Sequence, residues 1–476
     1  MTAEWTIERT TERASQPSGA HPVGSGPVGP AVWTAAPVDL SGRSGPSARL
    51  DHSSGRPDLH PLPRPADDRW PGLADPPHTP LRASVARTLF AHAVGKLPVR
   101  VLFPDGTRLG AGGPDAPAMH IHRPRDFFHR LGRNSKIGFG EAYMVGDWTA
   151  DHLADLLAPF ASTLSTLVPP VLQRMFRRIT EGRKPTAEAN TVAGSRSNIA
   201  RHYDLSNELF ALFLDETMSY SGAWFASGTQ DPADDRSDDL ADAQRRKIDG
   251  ILDLAGVCAG QHVLEIGTGW GELALTAARR GARVTTLTIS AAQARLARER
   301  IAHAGVADRV RVLLRDYREA GGSYDAVVSV EMIEAVGPQY WPTYFEVLHR
   351  LVKPGGTIGL QSITMPHERM LVSKHDYTWI TKYIFPGGVI PSRRTIESLA
   401  AATGLAIGQR RDLGPHYART LGHWQRNFAA AWEAVAALGF DPTFRRMWEY
   451  YLAYCEAGFR VGYLDVHQFA LRRAQS

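Results

Sequence analysis

A glycine-rich segment in the middle of the chain has the composition of a ligand-binding turn. Residues 263–271 read VLEIGTGWG, in which an apolar run carrying Glu265 leads into the alternating glycines Gly267, Gly269 and Gly271. Glycines at such a turn let a ligand approach the backbone at the carboxyl edge of an α/β sheet. The spacing departs from the G-x-G-x-x-G pattern that cradles a pyrophosphate. The segment therefore predicts a site for a nucleoside without phosphates, with a plain strand-to-helix turn as the alternative.

Two glutamates follow the apolar run YDAVVSV at residues 324–330. Glu334 lies among apolar neighbours where the ligand crevice of an α/β sheet would open. A carboxylate in such surroundings is not expected merely to be solvated, so Glu334 is predicted to be the centre of the reaction. Glu331 lies three residues earlier, so a substitution of Glu331 is the control for a substitution of Glu334.

Apolar, β-rich runs alternate with helical patterns from residue 198 onward. This alternation is typical of a mainly parallel sheet with helices on both faces, which is an α/β fold. The predicted strands are 262–267, 283–289, 309–314, 324–330 and 357–363, and the predicted helices between them include 272–280 and 291–305.

The N-terminal part divides into a tail and a small unit. Thirty of residues 1–80 are Pro, Gly or Ser, and a segment so poor in apolar periodicity cannot bury a core, so it is predicted to be disordered. A small α+β unit follows, with a helix at 83–94 and a hairpin at 99–110. The predicted division is a tail at 1–80, a small N-terminal domain at 81–180, a linker at 181–197 and a large α/β domain at 198–476.

Charge and cysteine content narrow the classes of partner. A net charge of +5 and a pI near 9.2 suit an anionic partner, either nucleic acid or an anionic membrane surface. No basic and aromatic stripe is evident, so nucleic acid is not expected. Only Cys258 and Cys455 occur, which excludes a disulfide framework and a four-cysteine zinc site, and no metal is predicted. Without a signal peptide or a long apolar run, the expected location is the cytoplasm.

A basic group lies near the end of the small domain. It could face phospholipid headgroups, which predicts peripheral association with the inner face of the membrane. The alternative is a solvated helix face that leads into the linker. The group comprises Arg174, Arg177, Arg178, Arg183 and Lys184.

Ordered motifs along the chain resemble those of one enzyme family. VLEIGTGWGELA is similar to the first motif of class I S-adenosylmethionine methyltransferases, whose sheet is Rossmann-like. The other motifs resemble the cyclopropane-fatty-acyl-phospholipid synthase family, which includes the mycolic acid cyclopropane synthases. They are HYDLSN at 202–207, FLD at 213–215, TMSYS at 217–221, SVEMIEAVG at 329–337, KYIFPGG at 382–388, GPHYARTL at 414–421 and YCEAGFRVGYLDV at 454–466, with FGEAYMVGDW at 139–148 matching the small N-terminal domain of longer members.

The resemblance implies an activity and a cofactor site. It implies transfer of a one-carbon unit from S-adenosylmethionine to the double bond of an unsaturated acyl chain in a membrane phospholipid, with a cyclopropane product. By position, Gln293 would hydrogen-bond the ribose, and Asp316 and Tyr317 would border the adenine, although Asp316 could instead cap a helix. The implied cofactor-binding residues are Tyr220, Ser221, Glu265, Gly267, Gly269, Trp270, Gly271, Thr288, Ile289, Gln293, Asp316 and Tyr317.

The family's base is held to be a bicarbonate ion gripped by a glutamate, a tyrosine, a histidine and backbone beside two cysteines. The resemblance assigns Glu334, Tyr417 and Cys455 to this catalytic site. Two positions depart from the pattern, because Gly222 replaces a cysteine and Gln361 replaces the histidine. A backbone N–H and an amide can still hydrogen-bond the ion, so bicarbonate binding is expected.

These departures leave the product open. Proton loss from the transferred methyl group would close a cyclopropane ring, whereas a hydride shift would lead to a methylene or methyl branch. Either route passes through a carbocation, which acidic and aromatic side chains can stabilise. Tyr220, Tyr417, Trp379 and Tyr383 are the aromatic candidates, with core packing as the alternative for each.

Two other classes compete with this interpretation. A soluble methyltransferase acting on oxygen or nitrogen is disfavoured by the HYDLSN and IFPGG motifs. A catalytically inactive scaffold is disfavoured by the intact GTGWG motif and Glu334. The sequence is compatible with a homodimer and does not specify one.

Overall fold

The structure is a computed structural model that describes residues 69–163, 194, 206–226 and 239–474. Three sequence predictions fall largely or wholly outside these residues. They are the tail before residue 69, the basic group at 174–184 and, apart from Gly194, the linker at 181–197.

The N-terminal unit combines a small sheet with four helices. Its four strands are ordered β2-β1-β3-β4, and β1 pairs antiparallel with β2 across the turn at Asp105 and Gly106. The predicted helix and hairpin are both confirmed. The elements are α1 (Pro80–Val94), β1 (Arg100–Leu102), β2 (Arg108–Leu109), β3 (Ala118–Ile121), α2 (Pro124–Arg133), α3 (Ser135–Met144), β4 (Trp148–Ala150) and α4 (Leu153–Thr163).

The large unit is built on a seven-stranded sheet of order β10-β11-β9-β8-β5-β6-β7. Strands β5 to β9 run parallel, and β11 pairs antiparallel with both β9 and β10. Its elements are α5 (Asn207–Phe213), α6 (Leu240–Leu254), β5 (His262–Ile266), α7 (Glu272–Arg279), β6 (Arg283–Thr288), α8 (Ala291–His303), β7 (Val310–Leu314), β8 (Tyr324–Val330), α9 (Ile333–Val336), α10 (Trp341–Leu351), β9 (Val352–Thr364), α11 (His367–Ser373), α12 (Trp379–Tyr383), α13 (Arg393–Ala402), β10 (Leu405–Asp412), α14 (Gly414–Ala430), α15 (Trp432–Ala437), α16 (Pro442–Arg460) and β11 (Asp465–Arg473).

All five predicted strands are present, and the α/β fold class is confirmed. Helices cover both faces of a parallel sheet, so its strands read as nearly continuous apolar runs, as β8 does. The sequence analysis did not identify β10 and β11. Strand β10 is largely exposed and carries three charged residues, so it lacks the apolar run that marks the central strands.

The two units share an apolar core. The ring of Tyr450 on α16 lies 5.6 Å from Tyr143, 6.4 Å from Trp148 and 4.7 Å from Trp379, centroid to centroid. Burial of large aromatic side chains contributes most to packing of this kind. The N-terminal unit is therefore docked directly on α12 and α16, which lie between β9 and β11 in the chain.

Polar contacts reinforce this junction between the units. Lys382 forms an ion pair with Glu141 of α3, and the Tyr383 hydroxyl donates a hydrogen bond to the same carboxylate at 2.8 Å. Within the described ranges, every helix is too short or too polar to cross a lipid bilayer.

Candidate active site

A cavity opens at the carboxyl ends of β5, β6 and β8, where an α/β sheet is expected to bind its ligand. Every predicted cofactor-binding residue except Gly271 lines it. Gly271 instead lies at the start of α7, where a Cβ would stand 3.3 Å from Ala297. Its absent side chain therefore serves close packing between α7 and α8.

The glycine turn is conformationally suited to a ligand. Gly267 and Gly269 have φ values of 99° and 51°, which L side chains rarely adopt. A Cβ on Gly269 would meet no atom within 4 Å, so it would project into the cavity. A Cβ on Gly267 would instead lie 2.6 Å from Cγ of Met332. Both positions thus require glycine, for different reasons.

Two buried ionisable side chains, Glu265 and Lys247, line this cavity. Glu265 is buried, and its Oε2 has no hydrogen-bond partner among the described residues. Burial raises the pKa of Glu265 to about 8 and lowers the pKa of Lys247 to about 8. The Nζ of Lys247 donates a hydrogen bond to Oγ of Ser221 at 2.7 Å. A carboxylate and an ammonium so placed fit the amino and carboxylate groups of an amino-acid moiety.

Lys247 was not identified from the sequence. It lies on α6 among the buried residues of that helix, next to Ile248. A lysine within the apolar face of an amphipathic helix is unusual, since lysine is seldom fully buried without a partner. A lysine on the apolar face of this helix was the feature of the sequence from which Lys247 could have been predicted.

Further hydrogen-bonding groups line the cavity at the ends of β6 and β7. Oγ1 of Thr288 donates to Oε1 of Gln293 at 3.1 Å, which fixes the Gln293 amide at the end of β6. The Tyr317 hydroxyl is buried with no hydrogen-bond partner among the described residues, and burial raises its pKa to about 12. Asp316 accepts from the backbone N–H of Arg318 at 2.9 Å and also lines the cavity. It therefore caps the short turn at 317–319, as the alternative interpretation held, while bordering the site.

Trp270 connects the glycine turn to α5. Its indole N–H donates to Oδ1 of Asn207 at 2.8 Å, and its ring lies 5.0 Å from that of Phe210. Asn207, the last residue of the HYDLSN motif, therefore supports the wall of the cavity. The orphaned polar atoms at Glu265 and Tyr317 and the open glycine turn together fit an S-adenosylmethionine molecule.

Glu331 forms the centre of a second group of contacts beside the cavity, which it also lines. Its Oε1 accepts from the backbone N–H of Gly222 at 3.0 Å and from Nε2 of Gln361 at 2.8 Å. Its Oε2 accepts from the Tyr417 hydroxyl at 2.8 Å. The three groups predicted to grip bicarbonate therefore hold a carboxylate of the chain itself, and they do not fit the ion in this arrangement.

Glu334 lies outside this group. Its Oε1 accepts from Oγ of Ser362 at 2.9 Å and from the backbone N–H of Ile363 at 2.6 Å. Its Oε2 has no partner among the described residues. Burial, aided by the charge of Glu331, raises the pKa of Glu334 to about 8. Glu334 is thus a neighbouring carboxyl group that favours its protonated form, and its role in catalysis stays a prediction.

The remaining predicted residues separate into two locations. Cys455 is partly buried, and burial raises its thiol pKa to about 12, so the thiol is protonated. Tyr220 lines the cavity and shares a hydrogen bond of 2.7 Å with the hydroxyl of Tyr451. Trp379 and Tyr383 instead pack against α3, where the indole N–H of Trp379 points at Sδ of Met144. The packing interpretation therefore holds for those two aromatic residues.

Comparison with known proteins identifies the family. Residues 191–469 match the family model described as mycolic acid cyclopropane synthetase. The chain belongs to this family. The synthetase family's chemistry makes the chain an S-adenosylmethionine-dependent methyltransferase.

Relatives of the chain are named for both of the products considered. The chain is 51% identical over 410 residues to the tuberculostearic acid methyltransferase UfaA1 of Mycobacterium tuberculosis, covering 85% of this chain and 96% of that protein. It is 34% identical over 363 residues to the cyclopropane-fatty-acyl-phospholipid synthase of Escherichia coli, covering 75% and 88% respectively. This synthetase family member thus resembles enzymes named for two different products.

A solved structure of the synthetase family agrees with the fold. Mycolic acid cyclopropane synthase CmaA1, complexed with SAH and CTAB, superposes with a TM-score of 0.53 at 32% identity. The match covers 60% of this chain and 98% of the other. That relative was solved with the demethylated form of the cofactor.

Proposed function

We propose that this enzyme methylates the double bond of an unsaturated acyl chain in a membrane phospholipid. The product is a phospholipid with a methylene-branched acyl chain. The observation that carries the proposal is the position of the Glu331 carboxylate. It borders the cofactor cavity and lies against the ring-bearing side chains of Tyr417 and, beyond it, Phe459. A buried anion among aromatic rings suits a site where positive charge develops on a hydrocarbon.

The residues of the site must stabilise a positive charge on the acyl chain and then remove a proton from it. When bound, S-adenosylmethionine supplies an electrophilic methyl group on a sulfonium. The π electrons of the alkene form the new C–C bond, the thioether leaves, and the acyl chain becomes a carbocation. Tyr220 and Tyr417 can stabilise such a cation by about 0.5–2 kcal/mol each. A base must then remove one proton.

The product depends on whether a hydride moves before that proton leaves. After a hydride shift, loss of a proton from the transferred methyl group leaves a C=CH2 double bond on the chain carbon, which is the methylene branch. Without the shift, loss of the same proton closes a cyclopropane. Saturation of the branch to a methyl group would need a separate hydride donor. Tuberculostearic acid is a methyl-branched fatty acid, so the 51% identity to an enzyme named for it supports the branched route.

A cyclopropane product is the second candidate. It is favoured by the family match and by the relative from Escherichia coli, which is named for that product. The proposed location is the cytoplasm, at the inner face of the membrane where phospholipid chains are accessible, and a homodimer remains a proposal. The net charge of +5 is consistent with an anionic surface.

Mass spectrometry of lipids tests the proposal. Cells expressing the chain are supplied with methionine whose methyl group is trideuterated. We expect unsaturated phospholipid acyl chains to gain one carbon that retains two of the three deuterons. Ozonolysis should convert a methylene branch to a ketone and leave a cyclopropane intact. Absence of label from the acyl chains would reject acyl methylation.

A further inference from the structure

We propose that Glu331 is itself the general base of the reaction, so that the enzyme needs no bicarbonate. The inference rests on the proposed function, because it concerns the proton released after methyl transfer to an alkene. It starts from the site's location. Glu331 follows the last residue of β8 and lines the cofactor cavity, so its carboxylate borders the space into which a methyl group is delivered.

Three donors form hydrogen bonds with the Glu331 carboxylate. The backbone N–H of Gly222, the amide of Gln361 and the hydroxyl of Tyr417 supply one hydrogen bond each. Hydrogen bonds to a carboxylate favour its ionised form and oppose the effect of burial. The net result here is a raised pKa, since burial is the largest cause. An ionised carboxylate whose pKa is shifted upward is a stronger base than an exposed one.

The orientation of the Gln361 amide is fixed by a chain of side chains. Nη1 of Arg411 can only donate, and it donates to Oε1 of Gln468 at 2.8 Å. Nε2 of Gln468 therefore donates to Oε1 of Gln361 at 3.0 Å. Gln361 is thereby left with its amide nitrogen facing Glu331. Since all of these groups are partly or fully buried, the donor cannot rotate away without leaving polar atoms unpaired.

The hydrogen bonds to Glu331 require a glycine at position 222. A Cβ at position 222 would stand 2.9 Å from Cδ1 of Tyr417. A side chain there, such as the cysteine found in the resembling family, would displace the ring whose hydroxyl bonds Glu331. The two departures from the family pattern, Gly222 and Gln361, thus both contact Glu331.

The backbone of Glu331 is also unusual. Its φ of 51° lies in the left-handed region, which a glutamate adopts only at a cost. Strained residues of this kind persist where surrounding contacts over-determine them and are concentrated at functional sites. The strain directs the carboxylate toward Gly222 and Tyr417, whereas Glu334, three residues later, bonds Ser362 and Ile363.

The proposed step transfers one proton to Glu331. One Glu331 oxygen takes a proton from the transferred carbon. The electron pair of that C–H bond then forms the new C=C bond, or the third C–C bond of a ring. The protonated carboxyl group returns its proton to water before the next turnover.

Bicarbonate depletion tests the inference on the full-length enzyme. Turnover is measured with unsaturated phospholipid vesicles in buffer purged of carbon dioxide, with and without added sodium bicarbonate. We expect the wild type to differ by less than about twofold, because its base is built in. A wild type that loses activity on purging and regains it with bicarbonate would overturn the inference while upholding the proposed function. No methylation under either condition would instead reject the proposed function.

Two variants make the test sharper. Glu331→Gly fits the left-handed backbone and leaves the three donors around a space vacated by a carboxylate. It should lose at least about a hundredfold in turnover, the scale of a positioned base, and regain activity when bicarbonate or formate is added. Glu331→Gln should be equally slow but without rescue, since its amide still fills the site. Glu346→Gln, at an exposed position on α10, is the matched control and should behave as wild type.

Each outcome is paired with a binding measurement. Calorimetry with S-adenosylhomocysteine should give similar affinities for the wild type and all three variants. Glu331 would be excluded as the proton acceptor if Glu331→Gly remained fully active in purged buffer. It would also be excluded if this variant bound the cofactor normally but no small carboxylate restored its activity.

Discussion

Gly222 and Tyr417 approach each other so closely that a Cβ on the glycine would lie 2.9 Å from Cδ1 of the tyrosine ring. The ring has little freedom to retreat, because it also stacks on Phe459 with centroids 4.4 Å apart. Its hydroxyl reaches Glu331 from this position. The absence of a side chain at residue 222 therefore controls a hydrogen bond to the carboxylate.

Gly222→Ala is expected to slow turnover about tenfold or more. Loss of one hydrogen bond to a charged group costs about 1.5–3 kcal/mol, which corresponds to this range of rates. Tyr417→Phe should have a similar effect, and the double variant should be little worse than either single one, because both remove the same bond. Steady-state kinetics on the three variants measures this. Fully additive losses would show that Gly222 acts by another route.

Gly269→Val should abolish S-adenosylmethionine binding while leaving the fold largely intact. Its side chain would project into the cavity, where no other atom lies within 4 Å. Gly305→Val is a matched control, since Gly305 also has a positive φ and open space around its Cβ but lies outside the cavity lining. Calorimetry should find binding in the control alone. Equal affinity in both variants would remove the glycine turn from the cofactor site.

The contribution of Glu265 to the stability of the cofactor-free enzyme should fall as pH rises from 4.5 to about 8. In this window the folded state retains a proton on Glu265 that the unfolded state has released, because burial raises the folded pKa. A state that binds more protons is destabilised by raising the pH. Glu334 contributes with the same sign, since its pKa is also raised to about 8.

Glu265→Gln should flatten part of this pH dependence. Thermal unfolding of the variant and the wild type should differ in the slope of Tm against pH across this window, with the more favourable change on raising the pH found in the variant. The same variant should bind S-adenosylmethionine about tenfold more weakly or worse, because a charged hydrogen-bond acceptor is lost. An unchanged slope together with unchanged affinity would contradict the assignment of Glu265 to the cofactor site.

Gly140→Val should destabilise the contact between the two units. A Cβ on Gly140 of α3 would lie 2.6 Å from Cδ1 of Trp379. Overpacking of this kind costs about 1–3 kcal/mol, which denaturant unfolding can measure. Gly113→Val, in the same unit and with no atom within 4 Å of its Cβ, should have a much smaller effect. Equal losses in both variants would mean that the contact at Trp379 contributes little.

Contiguous segments of the sequence determined the fold class and the cofactor turn. The strand and glycine turn at 262–271 lie next to each other in the chain, and their apolar run and glycine spacing are local properties. For that reason the five parallel strands could be predicted, and all but one of the predicted cofactor-binding residues line the cavity. Strands β10 and β11 could not, because charged side chains interrupt the apolar signal on β10, and β11 forms only by pairing with β9 and β10.

Only the tertiary structure decided which glutamate meets Tyr417. Glu331 and Glu334 lie three residues apart, and the sequence favoured Glu334 by its motif. The direction of each side chain depends on one backbone angle, the positive φ of Glu331, and on donors that arrive from a loop, from β9 and from α14. Lys247 became part of the cavity in the same way, because α6 packs its buried face toward the end of β5. Contacts between distant segments require the chain to be folded, so no local pattern could specify them.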